Sequence, residues 1–446
     1  VEPYFSCSGE PSDCRCVVYV NQATVPGPRD GTSWANAYAD VQSGVEVAEG
    51  SEGCEVWVAQ GSYYIYQSSA GDRIEIQDGV ALYGGFDGSE TARSGRDPQA
   101  HPTILDANHE SSTSLAVRTI MEIDSNDPVT VDGFTFQNAQ SLNNAGGGID
   151  AKQTELYLHD CIFANNATKE GGGVQLDNVT GAVTGCTFSG NEAQEDDGGG
   201  LKIFNGSVEL SGCTFEGNLS DGLGGGIHIN GGAHTLAGCT FTGNTAQGAA
   251  GGAIRVWEAT VELHRCVFSQ NVAPYGGGFS SGGSNVVLSN SIFYQNTASN
   301  YGGGGDFYYS SEVTIVNCVF YGNDADQGGA FQTNNNSMVN VFNTILWGNT
   351  PDMEYTYNGG DLLISYSALQ DYYSGTGNIQ ADPLFVAPNN MDFQLLSGSP
   401  CIDAADGDVA PSTDFEDSPR VDDPNTTNSG AGTPSYCDMG AFEYQP

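Results

Sequence analysis

The chain has 446 residues, with 12 cysteines, 62 glycines and a formal charge of −43 from 55 Asp and Glu against 12 Lys and Arg. That charge argues against nucleic acid, because phosphate recognition needs a basic face, and it repels polyanionic glycans unless cations intervene. No apolar run is long enough to span a bilayer, so no membrane span is expected.

The sequence begins at Val1 with neither an initiator Met nor a basic stretch leading into an apolar run, and reads as an exported chain, secreted or at the cell surface. An even number of cysteines without zinc-type C-x-x-C pairs suits an oxidising compartment. Disulfides are expected where segments cannot share a repeat core: Cys54 with one of Cys7, Cys14 or Cys16, and Cys401 with Cys437.

Residues 1–53 form an N-terminal segment. Within it, 31–49 (GTSWANAYADVQSGVEVAE) predicts an amphipathic helix with Thr32 or Ser33 as N-cap and Trp34, Ala37, Val41 and Val45 on its apolar face. A helix there would plug the open end of a stack of repeats. Val56–Ala59, Ile74–Ile76, Val80–Tyr83, Ile104–Leu105 and Val117–Ile123 read as irregular early rungs.

From 134 to 349 a block of the form Cys-x-Phe-x-x-Asn recurs as CIFANN at 161, CTFSGN at 186, CTFEGN at 213, CTFTGN at 239, CVFSQN at 266, SIFYQN at 291 and CVFYGN at 318. Divergent copies, FTFQN at 134 and TILWGN at 344, complete nine repeats whose starts lie 25 to 27 residues apart. A glycine cluster followed by an apolar residue alternates with it, as GGGI at 146 and 224, GGAI at 251 and GGGGDF at 302. Short period-2 alternations between glycine and Asn corners give about three strands per repeat, and strands one repeat apart must pair in parallel.

The fold predicted is therefore all-β: a right-handed parallel β-helix over 54–361, with an N-terminal capping helix and a separate β-rich C-terminal cap over 362–446. Phenylalanines, asparagines and the cysteines 161, 186, 213, 239, 266 and 318 should each form an interior file, the thiols inert. Asn166 and Asn218 also fit N-x-Ser/Thr sequons.

The Gly-Gly-x-Ile and Phe-x-x-Asn motifs resemble those of the chlamydial polymorphic outer-membrane proteins, which are surface adhesins, although the C-terminal barrel of that family has no counterpart here. VYVNQ at 18, DGTSWANAYADVQ at 30, VWVAQGSYY at 56 and LYGGFDGSET at 82 look like the start of bacterial extracellular β-helix proteins of pectate-lyase-like type. ADPLFV at 381, LLSGSPCIDAAD at 395, DFEDSPR at 414 and DMGAFEY at 438 are similar to the choice-of-anchor Q domain, which implies surface attachment or sorting. Pectate-lyase-like architecture hosts lyases, hydrolases, adhesins and tail spikes, so it fixes no chemistry.

In the strand after each glycine cluster, residues flanking the inward apolar position should face solvent: Asp150 and Lys152, Gln175 and Asp177, Lys202 and Phe204, His228 and Asn230, Arg255 and Trp257, Ser280, Tyr308 and Ser310, Gln332 and Asn334. Lys202, His228 and Arg255 then occupy equivalent places on successive rungs. With Trp257, Tyr308 and Tyr309 as stacking platforms they would suit β-elimination from a uronate, with a Lys or Arg as base and a cation on the carboxylate. The resemblance implies similar parts for Lys and Arg on the outer sheet of such lyases. The alternative is that these cations form ordinary ion pairs with neighbouring acids.

Calcium is a possible ligand on composition, at Asp196 and Asp197 before a glycine cluster and at Asp403, Asp406 and Asp408 in the cap. Three functional readings follow: an exported surface or matrix protein with an adhesive, glycan-binding or structural role, its partner a glycan, a cell surface or another copy of itself; a polysaccharide lyase; and a subunit of an end-to-end fibre.

Overall fold

The computed structural model describes residues 5–6, 15–23, 28–51, 53–351 and 354–446. Cys7 and Cys14 lie outside these residues. The chain divides into two compact units, Val1–Thr214 and Phe215–Pro446, and both are parallel β-solenoid. Among the described residues, no helix is long and apolar enough to cross a membrane.

In the first unit one turn runs Val174–Asp177, Thr180–Thr184, Thr187–Ser189 and the two-residue Glu192–Ala193. The direction changes where Asn178 and Gly185 take left-handed φ values of 53° and 63°. The second unit repeats the pattern, as in Ile254–Trp257, Thr260–His264, Val267–Ser269 and Val272–Tyr275. A short fourth strand thus adds to the three expected.

Residues one repeat apart are directly paired, Phe163 with Phe188 and Phe241 with Phe268. Their rings stack at 4.9 and 5.0 Å in interior files, each buried Phe contributing about 2 kcal/mol of transfer free energy. Beside them runs the asparagine ladder. Asn271 Nδ2 donates to Phe241 O at 3.0 Å and to Asn296 Oδ1 at 2.9 Å, while its own Oδ1 accepts from the backbone and side-chain amides of Asn244. Asn166 and Asn218 belong to the same kind of ladder and are buried, so neither sequon is accessible in the folded chain. The six cysteines of the repeats are buried free thiols, and burial pushes Cys318 up to about 12.

The N-terminal helix is shorter than the sequence suggests. A 3-10 turn spans Trp34–Asn36, and the α-helix runs Val41–Glu49 with Asp40 as N-cap, accepting from Ser43 N at 2.9 Å. The interruption arises because Tyr38 bonds through its own backbone to Tyr19 of the first long strand and to Asn21 just beyond it. Gly44 brings the helix onto that strand and the next: a Cβ there would sit 2.6 Å from Val20 and 3.1 Å from Val56. Cys16 and Cys54, paired across Arg15–Val20 and Cys54–Ala59, form a disulfide. The early rungs appear as Ile74–Ile76, Ala81–Phe86, Thr103–Asp106 and Met121–Asp124, with Gly61–Tyr64 in addition.

The C-terminal segment packs along the flank of the second unit. From Val267 onward the third strand of successive turns points an aliphatic side chain outward, and Ile292, Val319 and Ile345 are buried with Phe385, Phe393, Ile402, Met439 and Phe442 in one cluster. Asn317 and Asn343 fasten it by donating to Asp438 O and Asp406 O, both at 2.9 Å. The expected Cys401–Cys437 disulfide is absent: both are buried free thiols of this cluster, raised by burial to about 12 and about 11. The backbone contact at this point joins Cys401 to Met439, and apolar burial does the holding that a covalent link was expected to do.

Candidate functional site

The strands that follow the glycine clusters carry the chemistry. In the first unit Lys202 is a largely buried cation, ion-paired with Glu170 and 3.7 Å from Asp196. Its ammonium is spent on these carboxylates rather than presented to solvent.

In the second unit His228 and Arg255 are paired in register, as the repeat predicts, but neither faces solvent. They are only 3% and 2% exposed. Three equivalent basic groups on an open face are therefore not what forms. Over Arg255 it is the side chains of Trp257 and Tyr308 that cover this face, which the simple inward–outward alternation could not reveal.

Arg255 sits among aromatic rings. Its guanidinium lies 5.1 Å from the Trp257 ring centroid and 5.0 Å from that of Tyr308, donates to Val256 O, and donates to the Tyr308 hydroxyl at 2.7 Å. Small residues make this reach possible. Ser280 and Gly282 occupy the intervening strand, and a Cβ on Gly282 would stand 2.5 Å from the Trp257 ring and 3.2 Å from Arg255 Nη2. Tyr309, 5.4 Å from Trp257, is the exposed member of the group. The predicted platforms Trp257, Tyr308 and Tyr309 thus come together, with Arg255 at their centre.

Beside them opens a cleft of about 500 Å³ lined by Ala249, Ala250, Tyr275, Tyr301, Asp306, Tyr308, Gln332, Asn334 and Asn335. Tyr275 and Tyr301 are neighbours on one wall, 5.8 Å between centroids. Asp306 and Gln332, register partners and nearly fully buried, form the floor. Asp306 Oδ1, Gln332 Oε1 and Asn334 Oδ1 are buried without a hydrogen-bond partner. Loss of water around Asp306 pushes its carboxyl up to about 7, against the opposing pull of the Arg255 charge.

Asp306 was not legible from the motif. The fourth glycine of GGGGDF puts Gly305 in the position held by Phe279 and Phe331 on adjacent strands, and the Phe307 ring fills the space a Gly305 side chain would need. Asp306 and Tyr308 then point outward, where the alternation suggested Tyr308 and Ser310. A lone acid in an otherwise apolar and glycine block was the available signal.

Among the described residues, no group of three or more His, Cys, Asp or Glu is placed to hold a metal ion. Of the predicted calcium carboxylates, Asp196 lies 3.7 Å from Lys202, Asp406 accepts from the amide of Asp408, and Asp408 accepts from that of Thr433. Asp403 takes the amide of Asp423 at 3.5 Å, and burial raises its carboxyl to about 6.

Residues 199–371 match the family model described as right handed beta helix region. Across 96% of this chain and 96% of the other, the chain is similar to the crystal structure of pectate lyase Pel9A, with 13% sequence identity and a TM-score of 0.45. No curated protein matches the sequence.

Proposed function

We propose that this is an exported, polysaccharide-binding β-helix protein that holds its glycan in the cleft between Tyr275, Tyr301 and Tyr308. The observation that carries this reading is the lining itself, in which phenol rings stand beside buried hydrogen-bond acceptors that no protein donor satisfies. Sugars present apolar ring faces for stacking and hydroxyl donors around their rims, so they fill such a site on both counts. Unsatisfied buried acceptors are costly, and a ligand that supplies donors recovers that cost. The C-terminal segment, resembling an anchor domain, would keep the exported chain at a surface. Elimination from a uronate by Lys202, His228 and Arg255 has less support, since these groups are buried or ion-paired.

The test is calorimetric titration of the protein with a panel of neutral, amino and uronate oligosaccharides. At least one class should bind, and Tyr301→Ala should weaken it about fivefold through lost stacking. Failure of every class to bind would end this reading, and release of unsaturated products from a uronate would replace it with the lyase.

A further inference from the structure

We propose that the cleft selects a glycan bearing free, protonated amino groups, such as an oligomer of glucosamine, with the ammonium seated between Asp306 and the tyrosine wall. This rests on the carbohydrate reading above and names the class of sugar.

Three independent features point the same way. The first is the sign of the buried groups in its floor. Among the described residues lining the cleft Asp306 is the one acid or base with an ionisable carboxylate or cation, and its partnerless Oδ1 is buried in the same site as Gln332 Oε1 and Asn334 Oδ1, so the buried unfilled atoms are acceptors. An ammonium offers three donors and a full charge to such a set.

The second is the ring system. Tyr275 and Tyr301 stand together on one wall and Tyr308 lines the same cleft, and aromatic faces attract cations. Tyr308 already does this for Arg255 on one side.

The third is what the site withholds from an acidic sugar. Arg255, the cation next to the cleft, is 2% exposed, covered by Trp257 and Tyr308, and spends donors on Val256 O and the Tyr308 hydroxyl. It is not presented to a ligand carboxylate. The chain's charge of −43 adds long-range repulsion of uronates and attraction of polycations. A divalent metal fits less well, because the cleft has a single carboxylate where calcium takes six to eight oxygens and several charges.

The titratable groups around Asp306 are Arg255, Tyr308, Tyr275 and Tyr301. Of these only Arg255 brings a charge that acts on it, and burial outweighs that charge. A seated ammonium would add the missing positive partner and draw the carboxyl toward its ionised form.

The experiment compares calorimetric binding of glucosamine, N-acetylglucosamine and galacturonate oligomers of equal length at about pH 6, where the free amine is protonated. The glucosamine oligomer should bind about tenfold more tightly than its acetylated counterpart, the size of effect that one charge-assisted contact supplies. Asp306→Asn, nearly isosteric, should erase that preference, and its thermal melt shows whether it has folded. Tyr301→Ala should weaken the binding that remains. Equal or tighter binding of the acetylated or galacturonate oligomer would overturn the inference while leaving the glycan site intact. Binding of a different neutral glycan from the panel, with none of these three bound, would do the same. Absence of binding by any glycan would overturn both.

Discussion

The Arg255 guanidinium donates to the hydroxyl of Tyr308 across 2.7 Å, although the two residues lie two strands apart in the same sheet. That contact orients one wall of the cleft. Tyr308→Phe keeps the ring but removes the acceptor from a buried charged donor, and should lower stability by about 1–3 kcal/mol. Chemical denaturation measures it. Gly282→Val should cost at least as much, because its side chain would occupy the space of the Trp257 ring.

Asp306 should make the protein less stable as the solution becomes less acidic. Its folded value, about 7, lies above the unfolded value near 3.8. The folded state therefore holds the proton more tightly, and this contribution is complete below about pH 4 and lost as pH rises to about 7. Thermal melts across that window should show a fall in Tm that is smaller in Asp306→Asn. An Asp306→Asn melting curve parallel to wild type at every pH would refute the assignment.

Asn271→Ala removes two donors and an acceptor from the middle of a buried ladder. The amides of Asn244 and the carbonyl of Phe241 are left unsatisfied, at an expected cost of about 3 kcal/mol or more. Asn271→Asp keeps the acceptor but brings a buried charge and should do no better. Urea unfolding of both variants checks this.

Calcium should stabilise the chain as an electrolyte rather than as a site-bound ligand. With a charge of −43, millimolar Ca²⁺ reduces self-repulsion, and sodium chloride at matched ionic strength should raise Tm comparably. A rise specific to Ca²⁺ and reversed by EDTA would reveal a bound ion.

The solenoid was readable because its constraint is periodic: Phe241 must lie over Phe268 if every turn closes in about 26 residues, and both motifs declare that period. The site was less readable because it depends on departures from the period. An extra glycine shifted the assignment at 305–308, and Arg255 is covered by Trp257 and by Tyr308 from two strands away, which alternation within one strand cannot sense. The docking of the C-terminal segment did leave a trace. The outward residue of the third strand is Thr187, Thr214 and Thr240 in three earlier turns, after a lone exposed Ile162, but Val267, Ile292, Val319 and Ile345 in the four that follow. An aliphatic row on an outer face announces that something will cover it. The Cys401–Cys437 pairing did not form, and both thiols are buried unbonded in the same apolar cluster.

The asparagine ladder also limits how such a chain can change in length. Each rung presents the donors and acceptors that it receives, so an internal duplication or excision of one whole turn restores every bond at the junction. Loss of a single residue from a strand would put that strand out of step with its neighbours, whereas the corners already absorb turns of 25 to 27 residues with the Asn–Asn bonds intact. Insertions and deletions in this gene are thus expected to be quantised in complete coils, with smaller changes confined to the loops between the Asn and glycine landmarks, such as the Ala249–Ala250 stretch at the rim of the cleft.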